Sequence, residues 1–184
     1  MTRTFDFLFS FFGLLILSPI ILVLLIIGLF DTASPLFLQE RIGVDQKPFN
    51  LLKFRSMHVN TQSVATHLAS AASITPFGHF LRKSKLDELP QLWNVLLGDM
   101  SLVGPRPNLF NQEELIVERD TRGVYNVRPG ITGLAQINKI DMSTPQLLAE
   151  TDAKMIKDLY VWYYFKYIFL TVFGKGFGDR IKQS

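Results

Sequence analysis

Two acids stand side by side at Asp87 and Glu88, in the stretch Ser-Lys-Leu-Asp-Glu-Leu-Pro-Gln-Leu-Trp-Asn that begins at Ser84. Pro90 has no N–H and is poorly tolerated inside a helix, so a helix carrying Leu89, Leu92, Trp93 and Leu96 starts no more than about one turn earlier. Both carboxylates then fall at a helix N-terminus, where exposed N–H groups and the positive end of the dipole favour anions. Two chemistries fit this position: the acids cap the helix, or they work beside a bound phosphate.

The surrounding cations bear on that choice. Arg82, Lys83 and Lys85 cluster just before the pair. Lys53 and Arg55 are two apart in a predicted strand, so they share a face and can meet one phosphate together or form a solvated surface. Downstream, Arg106 sits between Pro105 and Pro107, and that stiff backbone aims a permanently charged fork in one direction, which suits bidentate binding of phosphate or carboxylate. Arg128-Pro129-Gly130-Ile131-Thr132-Gly133 places another cation within Gly and Pro punctuation that can present backbone N–H groups to an anion, and a plain loop fits equally. Asp152 falls on the apolar stripe of a helix predicted from Ser143-Thr144-Pro145 to about Leu159. A carboxylate there needs a cation, a metal, a cleft rim or a structural ion pair. His58, His67 and His79 show no paired ligand spacing and read as ordinary polar residues.

The elements that must position these groups are partly legible. Leu36-Phe37-Leu38 and Phe49-Asn50-Leu51-Leu52-Lys53-Phe54 flank the polar turn at 43–48 and predict a hairpin. Thr75-Pro76 reads as an N-cap followed by proline at the first helical position, with Phe77, Phe80 and Leu81 on one face. Residues 60–73 read as a loop or weak helix and 174–178 as a flexible tail. The pattern is α+β with helices predominating.

Residues 5–30 are almost continuously apolar, and 26 residues of helix reach roughly 39 Å, enough to cross a bilayer. Proline in Ser18-Pro19 removes a helical hydrogen bond near the middle, so a hairpin that enters and leaves by one face competes with a span. A cleaved signal peptide fits poorly, since the n-region has only Arg3 and the apolar run is too long. Residues 160–173, rich in Trp and Tyr with one Lys, are too short to span and suit the headgroup layer, with a core helix as the alternative.

Composition agrees with membrane contact. Charged residues make up 19% and hydrophobic ones 48% of the 184 residues, with sixteen Phe, and the charged share is below the roughly 25% of ordinary soluble proteins. Only Arg3 and Asp6 are charged in the first thirty residues, so the net charge of +3 belongs to the remainder. A mild basic excess fits anionic lipid or phosphates better than nucleic acid. Arg41, Lys47, Lys53 and Arg55, just after the apolar run, favour a cytoplasmic body. The absence of cysteine excludes disulfides and thiolate chemistry.

Taken in order, the following pieces resemble the monotopic phosphoglycosyl transferases, the bacterial sugar transferase family that starts glycan assembly on polyprenol phosphate. They are Arg3-Thr4-Phe5-Asp6 before an apolar helix with Ser18-Pro19; Lys53-Phe54-Arg55-Ser56-Met57; Leu86-Asp87-Glu88-Leu89-Pro90-Gln91-Leu92; Gly98-Asp99-Met100-Ser101; Val103-Gly104-Pro105-Arg106-Pro107; and Arg128-Pro129-Gly130-Ile131-Thr132-Gly133. The resemblance covers nearly the whole chain and points to the small, single-domain type. It implies a re-entrant helix-break-helix over 1–32 and a catalytic domain over 33–184 that includes an interfacial helix at 160–173. It implies transfer of a phospho-sugar from a UDP-sugar to polyprenol (undecaprenyl) phosphate with release of UMP, dependent on Mg²⁺, at the cytoplasmic face of the bacterial inner membrane. The expected donor is an N-acetylated deoxy- or diamino-sugar. Asp87 is the implied nucleophile, with Glu88 assisting, Asp87 and Asp152 as metal ligands, and Lys53, Arg55, Arg82, Arg106 and Arg128 as phosphate-binding cations. A membrane-anchored nucleotide- or lipid-binding scaffold and a UDP-sugar hydrolase are the competing functions.

Overall fold

The computed structural model describes residues 2–59, 61 and 73–173. Apart from Thr61 and Ser73, the segments expected to be loop at 60–73 and tail at 174–178 lie outside the described residues. Helices predominate among these, with two small two-stranded sheets, so the fold is α+β as the pattern predicts.

The hairpin forms where expected. Strand β1 (Leu36–Ile42) pairs antiparallel with β2 (Pro48–Phe54), in a register running from Leu36 opposite Phe54 to Ile42 opposite Pro48. The second sheet was not anticipated. The two Gly/Pro clusters read as separate turns are joined, because β3 (Ser101–Val103) pairs in parallel with β4 (Gly130–Thr132). Parallel strands need a long crossover, and helix α4 (Glu113–Thr121) lies in it. The backbones meet so closely at Gly104 and Gly130 that a Cβ on Gly130 would lie 2.0 Å from the Gly104 nitrogen. Side chains at these positions would push the strands apart, which accounts for glycine in both motifs.

Helix α1 (Thr2–Thr32) carries Pro19 inside it, and helical backbone resumes on both sides of Ser18-Pro19. Pro19 cannot donate to the Leu15 carbonyl four residues back. Ser18 does so instead, with its Oγ 2.7 Å from that oxygen. A side-chain donor of this kind lets a proline persist in a helix surrounded by hydrocarbon.

One narrow stripe of α1 faces the rest of the chain from end to end. Asp6, Ser10, Leu24 and Gly28 are buried, Gly13 abuts Leu92, and Ile21, Leu24 and Leu25 join a core with Phe54, Phe77 and Leu81. The remaining circumference, from Phe7 through Ile16, Val23 and Phe30, exposes large apolar side chains. Helix α7 (Val161–Val172) continues that surface, with Trp162, Phe169 and Val172 exposed and Tyr164 and Tyr167 buried. Phe5 and Phe9 pack on Phe165, so the two apolar faces adjoin. An exposed apolar surface of this extent is unfavourable in water and marks contact with lipid.

Polar contacts fix both ends of α1. Arg3 donates to the Val95 and Leu96 carbonyls, the latter at 2.8 Å, in the last turn of helix α3 (Gln91–Leu97), where carbonyls lack helical partners. Gly98 ends α3 at φ +100°, a left-handed value glycine adopts without strain. Asp6 is buried and accepts from Ser101 Oγ at 3.0 Å, Leu102 N at 2.9 Å and Tyr164 Oη at 2.7 Å. It thereby joins α1, β3 and α7. Burial, reinforced by the Asp6 carboxylate, pushes the Tyr164 phenol well above its ordinary value, so it stays a donor. At the far end, Thr75 caps helix α2 (Pro76–Ser84) by accepting from Gly78 N, and its hydroxyl donates to Asp31 at 2.7 Å.

Asp6→Ala removes the acceptor of three donors, two of them from buried side chains. It is expected to lower the unfolding free energy by about 2–4 kcal/mol, measured by denaturant titration in detergent micelles. A change below about 0.5 kcal/mol would show that Asp6 does not tie these elements together.

Candidate active site

Asp87 and Glu88 lie on a single 3-10 turn, Leu86–Glu88, rather than in the helix that follows. Lys85, at φ +59°, ends α2 and reverses the chain into this turn. Leu86 and Leu89, which bracket the acids, pack into the core around Leu24, Phe54 and Leu81. Pro90 occupies the cap position of α3, so neither acid is the N-cap residue of that helix. Both carboxylates are buried, Asp87 at 5% and Glu88 at 9% exposure. Two adjacent negative charges at that depth need cations close by.

Arg106 supplies one of them. Its Nη2 lies 2.6 Å from Glu88 Oε1, with both side chains largely buried. The backbone that aims it is fixed twice. Gly130 N donates to the Pro105 carbonyl at 2.8 Å, and Arg119 Nη1 donates to the carbonyl of Arg106 itself at 2.8 Å. Arg119, on α4, is 1% exposed and also donates to Asn108 Oδ1 at 2.9 Å and, through Nη2, to Asp152 Oδ2 at 2.6 Å. Tyr125 Oη donates to the same Asn108 oxygen, and burial raises its phenol above the ordinary value.

This geometry resolves Asp152. It lies on helix α6 (Pro145–Lys157), among the inward residues Leu148, Ala149 and Met155, and is fully buried. Of the alternatives open in the sequence, the structure realises the ion pair. Burial pushes the carboxyl of Asp152 up and Arg119 opposes that shift. Oδ2 of Asp152 holds Arg119, while its Oδ1 is buried without a hydrogen-bond partner among the described residues. Among the described residues no group of three or more His, Asp or Glu side chains converges as a metal cage.

The other cations separate into different environments. Lys53 is buried on β2 opposite Phe37, and β2 packs against the turn bearing the acids. Arg82, on the last turn of α2, donates through Nε to Ser56 Oγ at 2.8 Å. Arg55 packs at the start of β1. Its Nε donates to the Ser34 carbonyl at 2.8 Å, and its guanidinium lies 5.2 Å from the centre of the Phe37 ring, so it braces the start of β1. Arg128 donates through Nε to the Gly98 carbonyl at 2.7 Å and lines a cavity of about 640 Å³ with Lys47, Asp99 and Asn126. None of Asp87, Glu88, Lys53, Arg82 and Arg106 lines that cavity. Arg41, counted above among the cations that orient the chain, is buried and donates to Gln39 and to the Pro107 carbonyl.

A buried acid pair with Arg106 on Glu88, on a body with a continuous apolar helix face, points to a membrane-associated protein with a charged, buried site. Residues 1–176 match the family described as bacterial sugar transferase, and the chain belongs to that family. It is 40% identical over 190 residues to the UDP-glucose:undecaprenyl-phosphate glucose-1-phosphate transferase of Escherichia coli (strain K12), an alignment covering 97% of this chain and 40% of that protein. The UDP-N-acetylgalactosamine-undecaprenyl-phosphate N-acetylgalactosaminephosphotransferase of Aeromonas hydrophila is 33% identical over 97% of this chain and 44% of its own length. The exopolysaccharide production protein PSS of Rhizobium leguminosarum bv. phaseoli is 38% identical over 86% of this chain and 83% of its own length. The chain thus spans about two fifths of the Escherichia coli and Aeromonas relatives.

The Arg119–Asp152 pair gives a direct test of how Arg106 is held. Arg119→Met alone leaves Asp152 buried without its counter-ion and is expected to cost about 3–5 kcal/mol, whereas Arg119→Met with Asp152→Leu recovers most of that loss. Equal losses for the single and double variants in denaturant titrations would rule out charge burial as the cause.

Proposed function

We propose that the chain is a phosphoglycosyl transferase that moves a phospho-sugar from a UDP-sugar to undecaprenyl phosphate, releases UMP, and so initiates assembly of a surface glycan. The observation that carries this reading is the buried pair Asp87–Glu88, with Glu88 clamped by Arg106 on a turn that packs directly against the apolar helix. The printed activities of the Escherichia coli and Aeromonas relatives support it.

In the first step an Asp87 carboxylate oxygen attacks the β-phosphorus of the donor. An aspartyl–phosphorus bond forms, and the bond from that phosphorus to the bridging oxygen breaks, so UMP departs with the bonding pair. In the second, a phosphate oxygen of the lipid displaces Asp87, giving the lipid diphosphate sugar and restoring the carboxylate. A carboxylate attacking an anionic diphosphate needs positive charge around the reacting phosphorus. Lys53 and Arg82 lie on β2 and α2, the two elements that pack against the acid turn, and Arg106 holds Glu88 beside Asp87. Magnesium commonly binds through one or two carboxylates plus substrate phosphates, and the adjacent acids 87 and 88 fit that pattern without a full protein cage; bound there, the ion would offset phosphate charge.

The proposed location is the bacterial inner membrane with the acids at the cytoplasmic face. Both ends of α1 are bonded to the same body, Arg3 and Asp6 at one end and Asp31 at the other, which supports a reading with both ends on one side of the bilayer. The chain lacks cysteine, and single cysteines at Thr2 and Lys47 are expected to react with an impermeant maleimide from the same, cytoplasmic side of oriented vesicles. Labelling from opposite sides would exclude the monotopic arrangement.

The donor sugar is proposed to be N-acetylated and deoxy- or diamino-substituted, within a family whose named donors include glucose and N-acetylgalactosamine. A UMP-release assay across a panel of UDP-sugars, with and without undecaprenyl phosphate and Mg²⁺, tests reaction, metal and donor together. Release is expected only with both substrates. Release without lipid would identify a hydrolase, and none under any condition a binding scaffold. Asp87→Asn is expected to abolish turnover, by at least about 10³-fold, along with any trapped covalent phospho-sugar adduct. Full activity in that variant excludes the nucleophile.

A further inference from the structure

Two buried donors flank the acid pair with no acceptor among the described residues: Nε2 of Gln91 and Nη1 of Arg82. Gln91 is 3% exposed, so solvent does not supply the missing partner. Its placement follows from the backbone. The 3-10 turn at Leu86–Glu88 leads through Leu89 and Pro90, both at right-handed helical angles, into α3 at Gln91. In continuous helical backbone, residues three and four apart share a face. Gln91 therefore lies on the face of Glu88 and Asp87, yet its amide nitrogen bonds to neither.

The next inward amide shows the contrast. Asn94 uses both ends of its side chain, donating to the Asn50 carbonyl at 2.8 Å and accepting from Leu52 N at 2.9 Å. It locks α3 to β2. Gln91, one turn earlier and equally buried, has no comparable structural task. Arg82 is held on Ser56 through Nε, which leaves its buried Nη1 without a partner. A buried donor without an acceptor destabilises a fold, and two of them on the elements before and after the acids indicate a site shaped for a group that only accepts hydrogen bonds.

We propose that Gln91 contacts substrate, its carboxamide donating to an oxygen of a phosphoryl group held beside Asp87, with Arg82 Nη1 as the second donor. A phosphoryl group matches on three counts: it offers acceptors and no donors when ionised, its charge is offset by Arg82, and it accepts several hydrogen bonds at once. The assignment rests on the reading of Asp87–Glu88 as a phosphoryl-transfer pair. The group comes either from the nucleotide diphosphate or from the lipid phosphate, which share this chemistry.

The test is calorimetric binding of UDP, and separately of farnesyl phosphate, to the full chain in detergent micelles, with Tm measured in parallel. Gln91→Met keeps the side-chain length and removes both polar atoms. It is expected to weaken binding of UDP, farnesyl phosphate or both by about tenfold or more, and the ligand affected identifies the source of the phosphoryl group. The same substitution is expected to raise the ligand-free Tm, because it removes an unpartnered buried donor. A structural role predicts the opposite sign, so a lowered Tm overturns the proposal, as does unchanged affinity for both ligands. Gln91→Leu carries the same expectations as a second variant. A wild-type protein that binds neither ligand overturns this assignment together with the phosphoryl-transfer reading, whereas wild-type binding that survives both substitutions overturns the role of Gln91 alone.

Discussion

Burying two adjacent carboxylates on one short turn is the constraint on which the rest of the structure depends. Asp87 and Glu88 lie near the protein interior, where two like charges are costly to bury without cations and hydrogen-bond partners close by. The answer is a chain of contacts with an ion pair at each end. Glu88 meets Arg106, the carbonyl of Arg106 meets Arg119, and Arg119 meets Asp152. Each partner comes from a different part of the chain: the turn before α3, the Pro-Arg-Pro segment after β3, then α4 and α6. The site therefore exists only when the fold is complete, and the parallel pairing of β3 with β4 matters because it sets the Pro-Arg-Pro segment at the right height.

The apolar helix is integral to the same arrangement. Its buried stripe reaches Leu24, and the Leu24 core includes Leu86 and Leu89, the two residues that bracket the acids. The apolar helix thus touches the turn that bears the acid pair. At its other end Arg3 and Asp6 hold the last turn of α3 and strand β3. Helix α3 is gripped by α1 at its C-terminal end and carries Gln91 and the acid turn at its N-terminal end, so the site and the membrane surface form one body.

Much of this was legible from sequence, for reasons that can be stated residue by residue. The hairpin followed from alternation around the polar turn at 43–48. Helix α2 followed from Thr75-Pro76, and the Thr75 cap forms as predicted. The acid pair and Arg106 stood out because their types and spacing are local signals. What could not be read was pairing between distant residues. Arg119 sits in Glu-Glu-Leu-Ile-Val-Glu-Arg-Asp-Thr, where no local signal singles it out, yet it is 1% exposed. Asp6 and Tyr164 are 158 residues apart and meet only through the fold. Arg55 and Arg128 stood out by residue type, but nothing local showed that their Nε donors bond the backbone carbonyls of Ser34 and Gly98. The proline at 19 was a sound signal of a lost hydrogen bond, and Ser18 compensates by a side-chain bond that hydropathy does not register.

The Pro-Arg-Pro segment has two sides, and this explains why the cations around it do not form one patch. In extended backbone neighbouring side chains point oppositely. Arg106 turns toward Glu88, while Pro105 and Pro107 line the small cavity with Tyr125 and Val127, and Pro105 also borders the larger one that holds Arg128. One strand of chain therefore separates the acid pair from the Arg128 cavity. On the side of α1 the acids are bounded by Leu86 and Leu89, and on the other by Arg106, so they meet apolar core along the chain and positive charge across it.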